Sequence, residues 1–188
     1  MFRLSFSPAS KHQEFKIKLK YIMNFILTEI GYFGPSLLFL AIIFLTFRGR
    51  HAKKRMHYQK IDDPLIYLVL WQVLNYALNE ILKHLIQQPR PQDIAYINTW
   101  DSSPHIGPYG MPSGHAQQVV SEATYIALAF KNPYATAVSA CIAALTLYQR
   151  YIYQKHTALQ LIVGSIIGTI TGIIFYVFMA NKNKTIIK

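Results

Sequence analysis

Long apolar stretches alternate with short polar connections along this chain, and five of the stretches approach the roughly 20 residues that a helix needs to cross a bilayer. They run over residues 21–47, 64–86, 113–130, 133–151 and 157–180. The pattern predicts an all-α, polytopic transmembrane helix bundle. The last stretch carries no charge, and its Gly164, Gly168 and Gly172 recur every four residues. Small residues at that spacing form a smooth helix face that lets a neighbouring backbone approach closely, so the stripe reads as packing.

The second stretch is less pure, with Gln72, Asn75, Asn79, Glu80 and Lys83 among its apolar residues. Polar groups at membrane depth are costly unless they face protein or a wet cavity, so this helix is expected to line a site. Its start is marked by Asp62-Asp63-Pro64, which places acids at the positive end of the helix dipole and Pro in the first turn.

Composition fits this picture. Charged residues make up 14% of the 188, against about a quarter in soluble domains, and 52% are hydrophobic. A net charge of +11 raises nucleic-acid binding as a possibility. The cations are concentrated in the polar connections, where positive charge sets membrane orientation, and this argues against a nucleic-acid partner. Residues 48–60 hold Arg48, Arg50, Lys53, Lys54, Arg55 and Lys60 and are expected to be cytoplasmic. Alternate crossings put Lys131 and the tail, with Lys182, Lys184 and Lys188, on the same side. Residues 87–111 and 151–156 then face the opposite, non-cytoplasmic side.

The chain divides into a basic, interfacial segment at 1–20, a membrane-embedded domain at 21–180 and a basic cytoplasmic tail at 181–188. No apolar stretch followed by a small-residue cleavage site stands in the first segment, so no cleaved signal peptide is expected. Its cations conflict with an outer N-terminus. Two readings stay open: an amphipathic lead-in at 14–20, or a first stretch broken by Gly34-Pro35 into a re-entrant pair. The lone Cys141 excludes an intramolecular disulfide.

Topology brings three short stretches to the non-cytoplasmic face: Lys83-x6-Arg90-Pro91, Met111-Pro112-Ser113-Gly114-His115, and Arg150-x5-His156-x3-Gln160. Three cations at one depth repel one another unless an anion sits between them. Phosphate suits, since Arg offers a planar fork of donors and Lys a compact charge. Ser113 and Gly114 at a helix start add a hydroxyl and unpaired N–H groups where the helix dipole favours an anion. A neutral imidazole can attack phosphorus, while a second can protonate the leaving oxygen and later activate water. Sequence position leaves open which of His115 and His156 takes which part. No helical His-x-x-x-His or Cys cluster exists, and the cations repel a divalent ion, so neither a metal nor another cofactor is expected.

Taken together, these three motifs resemble the signature of the type 2 phosphatidic acid phosphatase (PAP2) superfamily, which includes lipid phosphate phosphatases and vanadium haloperoxidases. The resemblance implies a membrane phosphatase acting on a lipid phosphate, with His156 as nucleophile and His115 as acid. Lys83, Arg90, Ser113, Gly114 and Arg150 would bind the phosphate. Two positions depart from the pattern: Gln149 stands where Ser is usual, and Gln160 where an Asp usually orients the nucleophile. The dolichyl diphosphate phosphatases of the superfamily resemble this chain further, at Ala77-Leu78-Asn79-Glu80, Gln87 to Pro91, Tyr109 to Ser113, Gln117 and His156-Thr157-x-x-Gln160. They have Ser where this chain has Gly114. That likeness implies a polyprenyl diphosphate substrate. Phosphatidate, a lipid phosphotransferase reaction and a non-catalytic lipid-binding role are the alternatives.

Overall fold

The computed structural model describes residues 16, 18–20, 22–52, 64–91 and 107–185. These form five α-helices: α1 (Gly31–Ala52), α2 (Pro64–Ile86), α3 (Gly114–Phe130), α4 (Pro133–Ile152) and α5 (Ala158–Thr185). A π-helical turn, Ile26–Ile30, leads into α1. All five apolar stretches are therefore helical. By length and hydropathy alone, three helices among the described residues can cross a membrane, at Lys18–Arg48, Pro64–Ile86 and Ala158–Lys182. α3 falls outside this set because it has 17 residues and includes His115, Gln117, Gln118 and Glu122. α4 has 20 residues, with Thr, Ser, Gln and Arg among them.

The re-entrant alternative is not what the chain does, because α1 runs through Pro35 without a break. Pro35 lies inside a helix that already runs from Lys18, just after the wider π-helical turn. Much of the amphipathic lead-in, the acids Asp62 and Asp63, and most of the basic 48–60 connection lie outside the described residues. Arg48, Lys131 and Lys182 all sit at the bundle end opposite the motif residues.

α3 is the central helix and packs most extensively on α5, then on α4, α1 and α2. The glycine stripe explains the first contact. A Cβ at Gly164 would lie 2.6 Å from the Ser113 carbonyl, one at Gly172 would lie 2.5 Å from that of Ser121, and one at Gly168 would overlap that of Gln117. Three glycines four residues apart thus meet three carbonyls four residues apart, fixing the register of α5 on α3.

Away from the motifs, Trp71 stacks on Phe175 with centroids 4.3 Å apart, and Tyr125 packs against both. Leu38, Ile42, Leu68, Val119 and Ile126 complete this core. Side chains such as Leu74, Leu85, Phe44 and Ile174 are exposed on the outside, as expected of a lipid-facing surface. α2 meets α3 through a ladder of amides. Gln72 donates to Glu122 (2.7 Å), Asn75 to Gln118 (3.0 Å) and Asn79 to Gln117 (2.8 Å), while Gln117 donates back to Asn75 (2.8 Å). Pairing the amide N–H groups in this way makes a polar seam tolerable in an apolar bundle, although Gln72 Oε1 and Glu122 Oε2 are buried without a partner among the described residues.

Candidate active site

Antiparallel packing gathers the start of α1, the end of α2, the start of α3, the end of α4 and the start of α5 at one end of the bundle. A cavity of about 810 Å³ opens there. Lys83, Arg90, Gly114, His115, Arg150 and His156 all line it, as does Glu80. α1 and α2 make no substantial contact with each other, and the cavity continues between them past Tyr32, Phe33 and Ser36 on one side and Asn79, Asn75 and Gln72 on the other.

His156 lies in the turn between α4 and α5 and is 4% exposed. Its Nδ1 faces the Gly110 carbonyl at 2.9 Å and Gln160 Oε1 at 3.2 Å. The carbonyl can only accept, so Nδ1 carries the hydrogen and Nε2 keeps its lone pair. Burial pushes this imidazole down to about 3, reinforced by the positive charges of Arg90 and Arg150 and partly opposed by the bonds to Gln160 and Gly110. His156 is therefore neutral across the physiological range.

The orientation of the Gln160 amide follows from its backbone partners. Oε1 accepts from Thr157 N at 3.2 Å, and Nε2 donates to the Pro89 carbonyl at 2.9 Å and to Gln88 Oε1 at 3.2 Å. Gln160 N in turn donates to Thr157 Oγ1 at 3.3 Å, completing a capping box at the start of α5. One buried amide thus caps a helix, holds the His156 ring and ties down the segment that carries Arg90. That segment also pairs antiparallel with the approach to α3: Pro89 bridges Tyr109, and Gly110 N donates to the Gln88 carbonyl at 2.8 Å. Gly110 has no room for a side chain, since a Cβ would stand 2.6 Å from Gln160 Oε1.

Each imidazole Nε2 is covered by a guanidinium. Arg90 Nη1 lies 3.2 Å from His156 Nε2, while its Nε donates to the Gly107 carbonyl at 3.0 Å and Nη1 to that of Lys155 at 3.2 Å. Arg150 Nη2 lies 2.7 Å from His115 Nε2. Lys83 pairs with Glu80 at 2.6 Å on the same wall.

Ser113 and Gln160 stand behind the cavity wall, both fully buried. Ser113 is the N-cap of α3, its Oγ accepting from Ala116 N at 3.4 Å. Gln149, the other departure from the motif, is buried and faces away from the cavity, donating to the Thr28 carbonyl at 3.4 Å. No group of three or more His, Cys, Asp or Glu arranged to hold a metal occurs among the described residues.

Sequence reasoning missed three features of the site. His84, an exposed histidine outside the three motifs, lines the cavity edge-on to Tyr109 at 5.8 Å. Lys155 is 1% exposed beside the nucleophile candidate; only its adjacency to His156 could have flagged it. Tyr32 lies against His115 and Arg150 from a helix that carries no motif.

The model of the PAP2 superfamily matches residues 64–184. Lipid phosphate phosphatase epsilon 1, chloroplastic, from Arabidopsis thaliana is 30% identical over 123 residues, covering 61% of this chain and 40% of its own length. Dolichyldiphosphatase from Saccharomyces cerevisiae is 29% identical over 115 residues, covering 56% of this chain and 47% of its own length. The chain thus spans under half the length of these relatives. Among solved structures, a transmembrane PAP2-type phosphatidylglycerolphosphate phosphatase from Bacillus subtilis superposes with a TM-score of 0.62 at 19% identity, over 93% of this chain and 88% of the other.

Proposed function

The chain belongs to the PAP2 superfamily, and from that premise we propose that it hydrolyses the phosphate end of a membrane lipid through a phosphohistidine, with polyprenyl diphosphate as first substrate. The carrying observation is the pair of imidazoles, His156 and His115, whose Nε2 atoms are each covered by a guanidinium in one cavity.

In the first step Arg90, Arg150 and Lys83 hold the terminal phosphoryl group, aided by the N–H groups at the start of α3. His156 Nε2 attacks phosphorus and the P–O bond to the lipid breaks. His115, which gains a proton on Nε2 once the phosphoryl group draws Arg150 away from it, gives that proton to the departing oxygen, so a diphosphate leaves as the lipid monophosphate. In the second step water attacks phosphorus, His115 takes its proton, the P–N bond breaks and inorganic phosphate departs. Gln160 and the Gly110 carbonyl keep hydrogen on Nδ1 throughout, which supports Nε2 as the attacking atom.

Placing the cations Arg48, Lys131 and Lys182 at the other end supports an active site on the non-cytoplasmic face. A second substrate reading, phosphatidate, is favoured by the amide-lined wall at Asn75 and Asn79, which suits a lipid with hydrogen-bonding groups just below its phosphate.

The test is phosphate release by detergent-purified protein in EDTA, from polyprenyl diphosphate and phosphatidate side by side. Release without metal that favours the polyprenyl lipid is expected. Release that needs a metal would overturn the two-histidine mechanism. A preference for phosphatidate would select the second substrate. Product appearing only with an alcohol acceptor would make the protein a transferase, and no product from either lipid would leave a non-catalytic binder.

A further inference from the structure

The family model begins at residue 64, yet α1 brings an aromatic ring into the site. The Tyr32 ring lies 5.5 Å from the His115 ring, and the Arg150 guanidinium carbon sits 5.0 Å from the Tyr32 centroid. Arg150 is 3% exposed, so its guanidinium has little water to compensate its charge. An aromatic face is the kind of surface that holds such a cation while leaving its N–H edge free to donate.

The chain is built locally to deliver this ring. Gly31 and Gly34 flank it on the side towards α4, where a Cβ at residue 31 would stand 2.6 Å from Gln149 Cβ and one at residue 34 would overlap Thr146 Oγ1. Without side chains at these two positions α1 presses onto the end of α4, next to Arg150. The π-helical turn just upstream is fastened to the same place, with Gln149 Nε2 donating to the Thr28 carbonyl at 3.4 Å. This accounts for a long amide at position 149, because a serine there is too short to reach that carbonyl.

We propose that Tyr32 is a positioning residue for the anion site, its ring face holding the Arg150 guanidinium beside the phosphate position and His115. The proposal rests on the phosphate-site reading above. The ring acts through Arg150, so its effect disappears when that guanidinium is absent. The ring face carries the role and the hydroxyl does not.

Orthovanadate, a phosphate mimic, separates this proposal from turnover. Its affinity is measured by calorimetry on the detergent-solubilised full chain and on Tyr32→Phe, Tyr32→Leu, Arg150→Ala and the Tyr32→Leu/Arg150→Ala pair. Tyr32→Leu is expected to weaken binding by about 3- to 30-fold, the range of a cation–π contact. Tyr32→Phe should stay within about twofold of the natural chain, and the pair should match Arg150→Ala alone. Three results would overturn the proposal: unchanged binding in Tyr32→Leu, an equal loss in Tyr32→Phe, or additive losses in the pair. Failure of the natural chain to bind vanadate would overturn the anion site and the part of Tyr32 with it. Vanadate binding with the expected coupling but no phosphate release from any lipid would overturn only the hydrolase reading.

Discussion

Gln160 Oε1 accepts from His156 Nδ1 at 3.2 Å while the other end of the same amide donates to the Pro89 carbonyl at 2.9 Å. A carboxylate can do the first of these and not the second. The amide at this position is therefore a connector between the His156 turn and the Arg90 segment.

Gln160→Asp is accordingly expected to lower activity. The shorter side chain gives up the donor bonds to Pro89 and Gln88 and leaves a carbonyl facing a buried carboxylate. Leaving buried acceptors without donors costs about 1–3 kcal/mol. Phosphate release should fall at least tenfold and the melting temperature should drop. A rise in turnover would show that position 160 needs charge more than connection.

Gly110→Ala inserts a methyl group 2.6 Å from Gln160 Oε1. The amide is tied on both ends and has no slack, so overpacking of about 1–3 kcal/mol is expected. The Gly110 carbonyl also moves away from His156 Nδ1, so turnover should fall more than substrate affinity. Comparing kcat with KM for the variant checks this, and an effect confined to KM would refute it.

His156 carries a sign for pH dependence. The unfolded chain takes up a proton on this residue near its ordinary value of about 6.5, whereas the folded protein resists until about 3. Between those values the unfolded state binds more protons, so stability rises with pH in this window and is insensitive to His156 above it. Melting temperatures of the natural chain and His156→Gln, taken from pH 7 down to 4, should converge as pH falls if the glutamine variant starts less stable. Parallel curves would mean that the folded imidazole titrates normally.

Glu80 pairs with Lys83 at 2.6 Å and would compete with a phosphate for it. Glu80→Gln removes an anion from the cavity wall and frees the ammonium. Because the carboxylate is 37% exposed, the gain is modest. KM for a lipid phosphate should fall by about two- to threefold with kcat nearly unchanged, and an increase in KM would assign Glu80 a supporting contact instead.

The bundle was legible because bilayer-length apolar runs have few alternatives to helix, and the glycine stripe of α5 announced its own packing. The site was legible where a chemical type recurs at fixed spacing, as with Arg150 and His156. What stayed hidden depends on tertiary approach. Nothing about Tyr32 in sequence reveals that Gly31 and Gly34 bring it to Arg150, some 118 positions away. Ser113 shows the opposite problem, since the hydroxyl expected in a phosphate cradle is fully buried at the N-cap of α3, accepting from Ala116 N. Pro35 shows a third, because a local breaker is carried inside a continuous helix, just past its π-helical turn.

α1 and α2 stand apart, with the cavity between them and lipid-facing side chains on either flank. A substrate using that gap never leaves the hydrocarbon layer, and its supply is counted per unit area of membrane. Turnover then tracks the mole fraction of substrate among its neighbouring lipids, and diluting vesicles with buffer leaves the rate per vesicle unchanged.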